Sequence, residues 1–179
     1  LSISTVQTAL TSTSLTTKPY TFHPLSLDDI LSCIDTICAD SSLFTNCDIV
    51  NKTDIFGNTL LLYIMFYGEI EYVKKFITTV PQDILDINCK SPAGHTPLTL
   101  AVINNNRICV ELFVTTFASI LDINQPGNHY RTALTIAAQH NYYKIVNFLL
   151  LQPNIDVNWH TESKHTPLWI AASKNSIES

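Results

Sequence analysis

Six histidines and five cysteines are the side chains with the greatest chemical capacity in these 179 residues. The cysteines are Cys33, Cys38, Cys47, Cys89 and Cys109, an odd set without a C-x-x-C pair. A zinc centre needs three or four ligands, with nitrogen or sulfur at about 2.0–2.3 Å. His129, His140 and His165 are the histidines that adjacent structural units would bring together, and no cysteine joins them at ligand spacing. A thiol nucleophile needs a histidine within hydrogen-bond reach and donors for an oxyanion. Here the cysteines lie mainly toward the first half and the histidines toward the second. No acid–base pair is discernible. Four glycines leave little material for a phosphate-cradling loop. The expectation is a chain that is not an enzyme and takes no metal and no cofactor. The odd thiol count reads as free cysteines in a reducing, cytoplasmic compartment. Cys33 and Cys109 fall among apolar helical positions, where a thiol acts as a small hydrophobe.

What positions such side chains must be a packed core. The chain is 46% apolar and 14% charged, which suits one or two folded domains. A formal charge of -5 with ten scattered Lys and Arg argues against nucleic acid, since a phosphate surface needs clustered cations. The longest basic run is Lys74-Lys75. No stretch of about 18 apolar residues exists, so no membrane span is expected. The densest apolar stretch, residues 60–65, is far too short. The chain opens on Leu1 without a signal-peptide pattern, which points to a trimmed terminus and leaves targeting open.

Internal repetition supplies the architecture. His95-Thr96-Pro97-Leu98 and His165-Thr166-Pro167-Leu168 coincide without a gap. Arg131-Thr132-Ala133-Leu134 lies between them, and Asn58-Thr59-Leu60-Leu61 before them. The threonines are 37, 36 and 34 residues apart, and eight residues before each stands Asn51, Asn88, Asn124 or Asn158. A β-branched apolar residue precedes each asparagine: Val50, Ile87, Ile123 and Val157. Asp86, Asp122 and Asp156 precede three of those.

One unit can be read physically. The threonine caps a helix start, and proline next to it is pre-set for the first turn. Leu98 and Ala101, Leu134 and Ala137, and Leu168 and Ala171 share a helix face, with alanine permitting close packing. A second helix then carries Val73, Phe76 and Ile77; Val110, Phe113 and Val114; or Val146, Leu149 and Leu150. That spacing puts one stripe toward a neighbouring helix. Gly68, Asn105, Asn141 and Asn175 mark the breaks, where a left-handed residue is wanted.

These phrases resemble the ankyrin family, whose unit is a β-turn plus two helices with a T-P-L-H-x-A signature. The resemblance covers residues from about 40 to 179. It implies an all-α ankyrin-repeat solenoid of helix-turn-helix units with extended β-turn fingers. The units would span about 51–87, 88–123, 124–157 and 158–179, the last incomplete. Leu62, Thr99, Thr135 and Trp169 replace the signature histidine; Leu60 and Ala133 replace the proline. The turn glycine persists at Gly57 and Gly94 and becomes Tyr130 and Lys164, so less ideal turns and lower stability are expected.

Solenoid ends need caps, because each unit buries its apolar face only against neighbours. Ser26-Leu27-Asp28-Asp29 resembles a capping box opening a helix with Leu27, Ile30, Leu31, Ile34 and Ile37 on one side. Residues 20–50 are read as a degenerate N-terminal capping repeat, with an unrelated docked helix as the other reading. Residues 1–19 are a Ser/Thr-rich arm or linker. At the other end, Trp169, Ile170 and Ala172 would lack part of their cover. Either the native chain continues or this end packs on a partner.

Ankyrin arrays bind through turn tips and the exposed side of their first helices. Carried over by register, unit one offers Ile55, Phe56, Asn58, Phe66 and Tyr67, and unit two Pro92, Ala93, His95, Ile103 and Asn104. Unit three offers Asn128, His129, Arg131, Gln139 and His140, and unit four Glu162, Ser163, His165, Ser173 and Lys174. The first half is apolar and the second polar. Phe56, Phe66 and Tyr67 would anchor an apolar partner segment, or else pack against the N-terminal cap or the arm of residues 1–19. Leu150 followed by Asp156-Val157-Asn158 resembles the surroundings of ankyrin asparagines hydroxylated by an oxygen-dependent asparaginyl hydroxylase. The other role for Asn158 is to tie down its own turn.

The resemblance thus implies a protein-interaction module with a protein partner. Two further readings stay open: the substrate-recognition part of a larger enzyme, and a structural spacer. The 20 isoleucines and 14 asparagines resemble the composition of ankyrin effectors that intracellular bacteria secrete, which would place the chain in host cytosol.

Overall fold

A threonine starts every first helix. The computed structural model describes residues 50–54 and 56–175, together with positions 28, 31, 32, 34, 35 and 39. Among the described residues there are seven α-helices: α1 Leu60–Tyr67, α2 Ile70–Thr79, α3 Pro97–Ile103, α4 Arg107–Thr116, α5 Ala133–Gln139, α6 Tyr143–Leu150 and α7 Pro167–Asn175. The hydroxyls of Thr59, Thr96, Thr132 and Thr166 each accept from the backbone N–H three residues on. These bonds satisfy donors that a helix start leaves open. Thr99, at the place of the signature histidine, completes a reciprocal capping box with Thr96. The first helices α1, α3, α5 and α7 pack side by side, and α2, α4 and α6 form a second layer behind them. This is the all-helical solenoid expected of ankyrin units. No strand occurs among the described residues, only an isolated antiparallel bridge between Thr53 and Thr59. No described helix is long and apolar enough to cross a membrane.

Gly68, Asn105 and Asn141 are left-handed, as the expected helix breaks require. Asn175 is instead the last residue of α7.

The asparagines join one unit to the next. The Asn51 amide donates to the Ile84 carbonyl at 2.6 Å and accepts from Asp86 N–H at 2.8 Å. Asn88 does the same with Ile120 and Asp122, and Asn124 with Asn154 and Asp156. A regular ladder results, which explains the fixed eight-residue offset to the capping threonine.

Four fingers project from the helical layers at residues 54–58, 91–95, 127–131 and 161–165. In each, the first residue's N–H donates to the last residue's carbonyl. Gly57, Gly94, Tyr130 and Lys164 all have positive φ. The lost glycines therefore left the turn shape intact and put side chains into a conformation that costs a non-glycine residue about 1–2 kcal/mol. Finger three carries the most strain, because His129 before it is also left-handed (φ 55°, ψ 33°). We expect Tyr130→Gly to raise the unfolding free energy by about 0.5–1 kcal/mol after glycine's own entropy cost. A rise in urea midpoint at constant slope checks this; an unchanged midpoint would show the strain to be absent.

The core runs from Ile34 through units one to three, with Tyr63, Phe76, Phe113 and Phe117 its largest fully buried side chains. Ile34 is fully buried in it and Leu31 packs partly against it. Lys75 pairs with Asp35 at 2.6 Å. Leu27, Ile30 and Ile37 of the expected capping helix, and the arm of residues 1–19, lie outside the described residues. At the other end, Ile170 corrects its expectation: it faces α5 and is buried, while Leu168 beside it is 77% exposed. Leu134, at the same register in unit three, is 2% exposed.

Candidate partner-binding groove

A concavity lies between units three and four. It has a volume of about 460 Å³ and is walled by fingers three and four and by α5 and α7. Each wall residue follows from local structure. His165 ends finger four, and its N–H donates to the hydroxyl of buried Thr161 at 3.3 Å. Trp169 lies four residues on, one turn along α7, and so shares its face. The two rings stack with centroids 3.5 Å apart and planes 10° apart. Arg131 ends finger three. Its Nε donates to the Asn128 carbonyl at 3.3 Å and its Nη1 to Gln139 Oε1 at 3.1 Å. Gln139 is the last residue of α5, so this pair fixes the guanidinium across the groove wall.

Finger three is held from outside. Trp159 Nε1 donates to the Tyr130 carbonyl at 2.7 Å, and Glu162 N–H donates to the His129 carbonyl at 3.2 Å. The His129 ring Nδ1 lies 3.0 Å from Glu162 Oε2. Its first residue, Gly127, has no side chain to clamp the loop. In the other fingers Asp54, Ser91 and Thr161 accept the closing N–H with a side-chain oxygen. The neighbouring unit therefore supplies the restraint that finger three lacks.

The expected surface residues divide as follows. His129, Arg131, Gln139 and His165 converge on the groove. His140 does not; it stacks on Tyr142 with centroids 5.4 Å apart. Phe56 and Tyr67 are each 38% exposed, and Phe66 is half-buried with its ring edge-on to Tyr67. Ile103 is half-buried and Asn104 is exposed, its amide donating to the Phe66 carbonyl. Ile55 lies outside the described residues. Asn58 corrects the expectation: it is buried, with its N–H on the Asp54 carboxylate and its amide directed at the Tyr63 hydroxyl. It holds the finger rather than facing a partner. Asn158 is exposed, and its N–H donates to Asp156 Oδ1 at 2.9 Å. Trp169 was absent from the expected set. Its signal was the four-residue spacing from His165.

Nothing in this arrangement is a nucleophile with a base. Burial pushes the Cys89 and Cys109 thiols up to about 11, far from thiolate character at neutral pH. Among the described residues no three His, Cys, Asp or Glu side chains gather as metal ligands.

His95 ends finger two beside the groove. Its Nδ1 is buried without a hydrogen-bond partner. Burial lowers its pKa, and the charges of Arg131 and His129 lower it further. The unfolded chain therefore binds a proton at this site at higher pH than the fold does. This part of the stability is present above about pH 6.5 and is lost as pH falls from there through the lowered folded value. We expect acidification from neutrality to lower the melting temperature more in the parent than in His95→Gln. Equal pH slopes would remove His95 as the cause.

Residues 61–159 match the family described as ankyrin repeats (three copies). The match spans more than half of the chain, and the chain belongs to the ankyrin-repeat family. No curated protein matches it. The family is one of protein-interaction scaffolds, and the match carries no sign of a bacterial effector origin.

Proposed function

We propose that this array binds a segment of another protein along its fingers and first helices, with the groove between units three and four as the principal seat. The observation that carries this reading is the Arg131 guanidinium, held by Gln139 and the Asn128 carbonyl, in a groove that also holds the stacked rings of Trp169 and His165. Trp and Arg are the residue types that dominate interface energetics. A wall built from strained backbone fits the same reading, since such strain concentrates at ligand clamps. Phe56 and Tyr67 extend the face toward the first unit. The burial of Ile34 in the core and the partial packing of Leu31 against it support a capping role at that end. Among the described residues the Cys89 and Cys109 thiols are free, which fits a cytoplasmic setting. The same face would serve a substrate-recognition domain of a larger enzyme; the full open reading frame distinguishes the two.

The test compares captured partners for the parent, Trp169→Ala and Phe56→Ala/Tyr67→Ala. Loss of a reproducible partner in Trp169→Ala supports the groove. An unchanged partner set in both variants ends the proposal. Asn158 also remains a proposed hydroxylation site. It is exposed, and its N–H donates to Asp156 Oδ1 at 2.9 Å. Absence of added oxygen at Asn158 after incubation with the hydroxylase would exclude this.

A further inference from the structure

We infer that the groove between units three and four takes an acidic peptide segment, with an Asp or Glu carboxylate on Arg131 and a neighbouring peptide residue laid against Trp169. The inference rests on the groove being the binding seat and adds the chemistry of the occupant.

Charge and donor balance carry it. The ionic side chains of the lining are Arg131, Lys174 and Glu162. The single carboxylate is already engaged by His129 at 3.0 Å. Arg131 spends Nε and Nη1 on the protein, which fixes its plane and leaves Nη2 and the second Nη1 hydrogen as donors for an occupant. Lys174, exposed on the last turn of α7, also lines the groove. Donors therefore exceed acceptors, in a chain whose overall charge is -5.

A guanidinium with a fixed plane suits a planar carboxylate better than a mobile ammonium does. The Trp169 ring, held flat by His165, offers an apolar surface beside it. Together they fit a segment that alternates acidic and apolar side chains. Nucleic acid also carries negative charge, but two cations opposed by a carboxylate give no phosphate-tracking stripe.

The experiment pans a phage-displayed library of random linear peptides on the full chain. Enriched sequences are resynthesised with a fluorescent label and titrated by anisotropy. Asp and Glu should dominate the enriched set. Arg131→Gln and Lys174→Gln should each weaken binding by about tenfold or more, and added salt should weaken it further. Lys174→Gln matters because Arg131→Gln also breaks a wall contact. Circular dichroism confirms that each variant keeps its helices. The tryptophan fluorescence of the full chain should change on binding, and Trp169→Phe should remove that change. Enriched peptides without acidic bias, or binding indifferent to both substitutions, overturns the inference. So does displacement by a single-stranded oligonucleotide in preference to acidic peptides. Peptides that lose affinity in Phe56→Ala and not in the groove variants would sink this inference while leaving the interaction function standing. No peptide binding at any part of the face would sink both.

Discussion

Phe113→Ala should lower the unfolding free energy by about 3–5 kcal/mol, the usual cost of deleting a large core aromatic. Phe113 is fully buried on α4, the second helix of unit two. It sits at the register position that Phe76 holds in α2 and Leu149 in α6, and α4 packs against both of those helices. Its ring also meets Phe117 edge-on at 5.0 Å. Alanine removes most of the side chain from a site bordered on two sides by other units, which cannot collapse without shifting both. In a solenoid each unit draws its stability from its neighbours. The loss at unit two should therefore reach the groove, because units three and four stack on it in series. Against a typical total of about 5–15 kcal/mol, this is enough to unfold the array partly at ordinary temperatures. Urea denaturation checks it, with Phe113→Leu as a milder partner costing less. A drop below about 1 kcal/mol would mean that the site repacks freely and that units two and three are not coupled through this layer.

That register was readable because one physical demand repeats. Each unit must cap a helix, break it and bond to the next unit, so Thr96, Asn105 and Asn88 recur with fixed offsets. The conformation of finger three was less readable. Tyr130 and His129 give no local cue for left-handed backbone; the fold imposes it, and Trp159 and Glu162 from the next unit hold it. Asn58 looked like a surface residue because its type and position at a turn tip favour exposure. It is buried because Asp54 and Tyr63, four residues before it and five after, close around it. The groove itself was half visible. The polar, histidine-rich side was in the pattern, whereas Trp169 looked like an uncovered end residue. Only the stacking of α7 beside α5 turns it toward Arg131.

The Asp54 cluster leads to the second large effect. Tyr63→Phe should cost about 1.5–3 kcal/mol, the range for a hydrogen bond to a charged group whose partner is left buried. The Tyr63 hydroxyl donates to Asp54 Oδ2 at 2.6 Å. The other oxygen, Oδ1, accepts from Phe56 N–H at 2.9 Å and Asn58 N–H at 2.8 Å. No cation is among these partners, so three donors alone hold the buried carboxylate. Burial raises the pKa of the Tyr63 hydroxyl, and its bond to the Asp54 carboxylate raises it further. The phenol therefore remains a donor at all ordinary pH values. Phenylalanine keeps the ring and its packing but leaves Oδ2 without this donor. Tyr130→Phe, on a side chain 61% exposed, is the control and should stay within about 0.5 kcal/mol. The loss should also be local first. The Phe56 and Asn58 amides should exchange hydrogen faster than amides in α4 or α5. Because the same carboxylate positions Phe56 at the finger tip, the variant should loosen the apolar end of the binding face while leaving the Trp169 groove intact. Equal protection of Phe56 and Asn58 in parent and variant would show that the finger holds its shape without the tyrosine. The first unit would then present Phe56 through the Asp54 and Asn58 bonds alone.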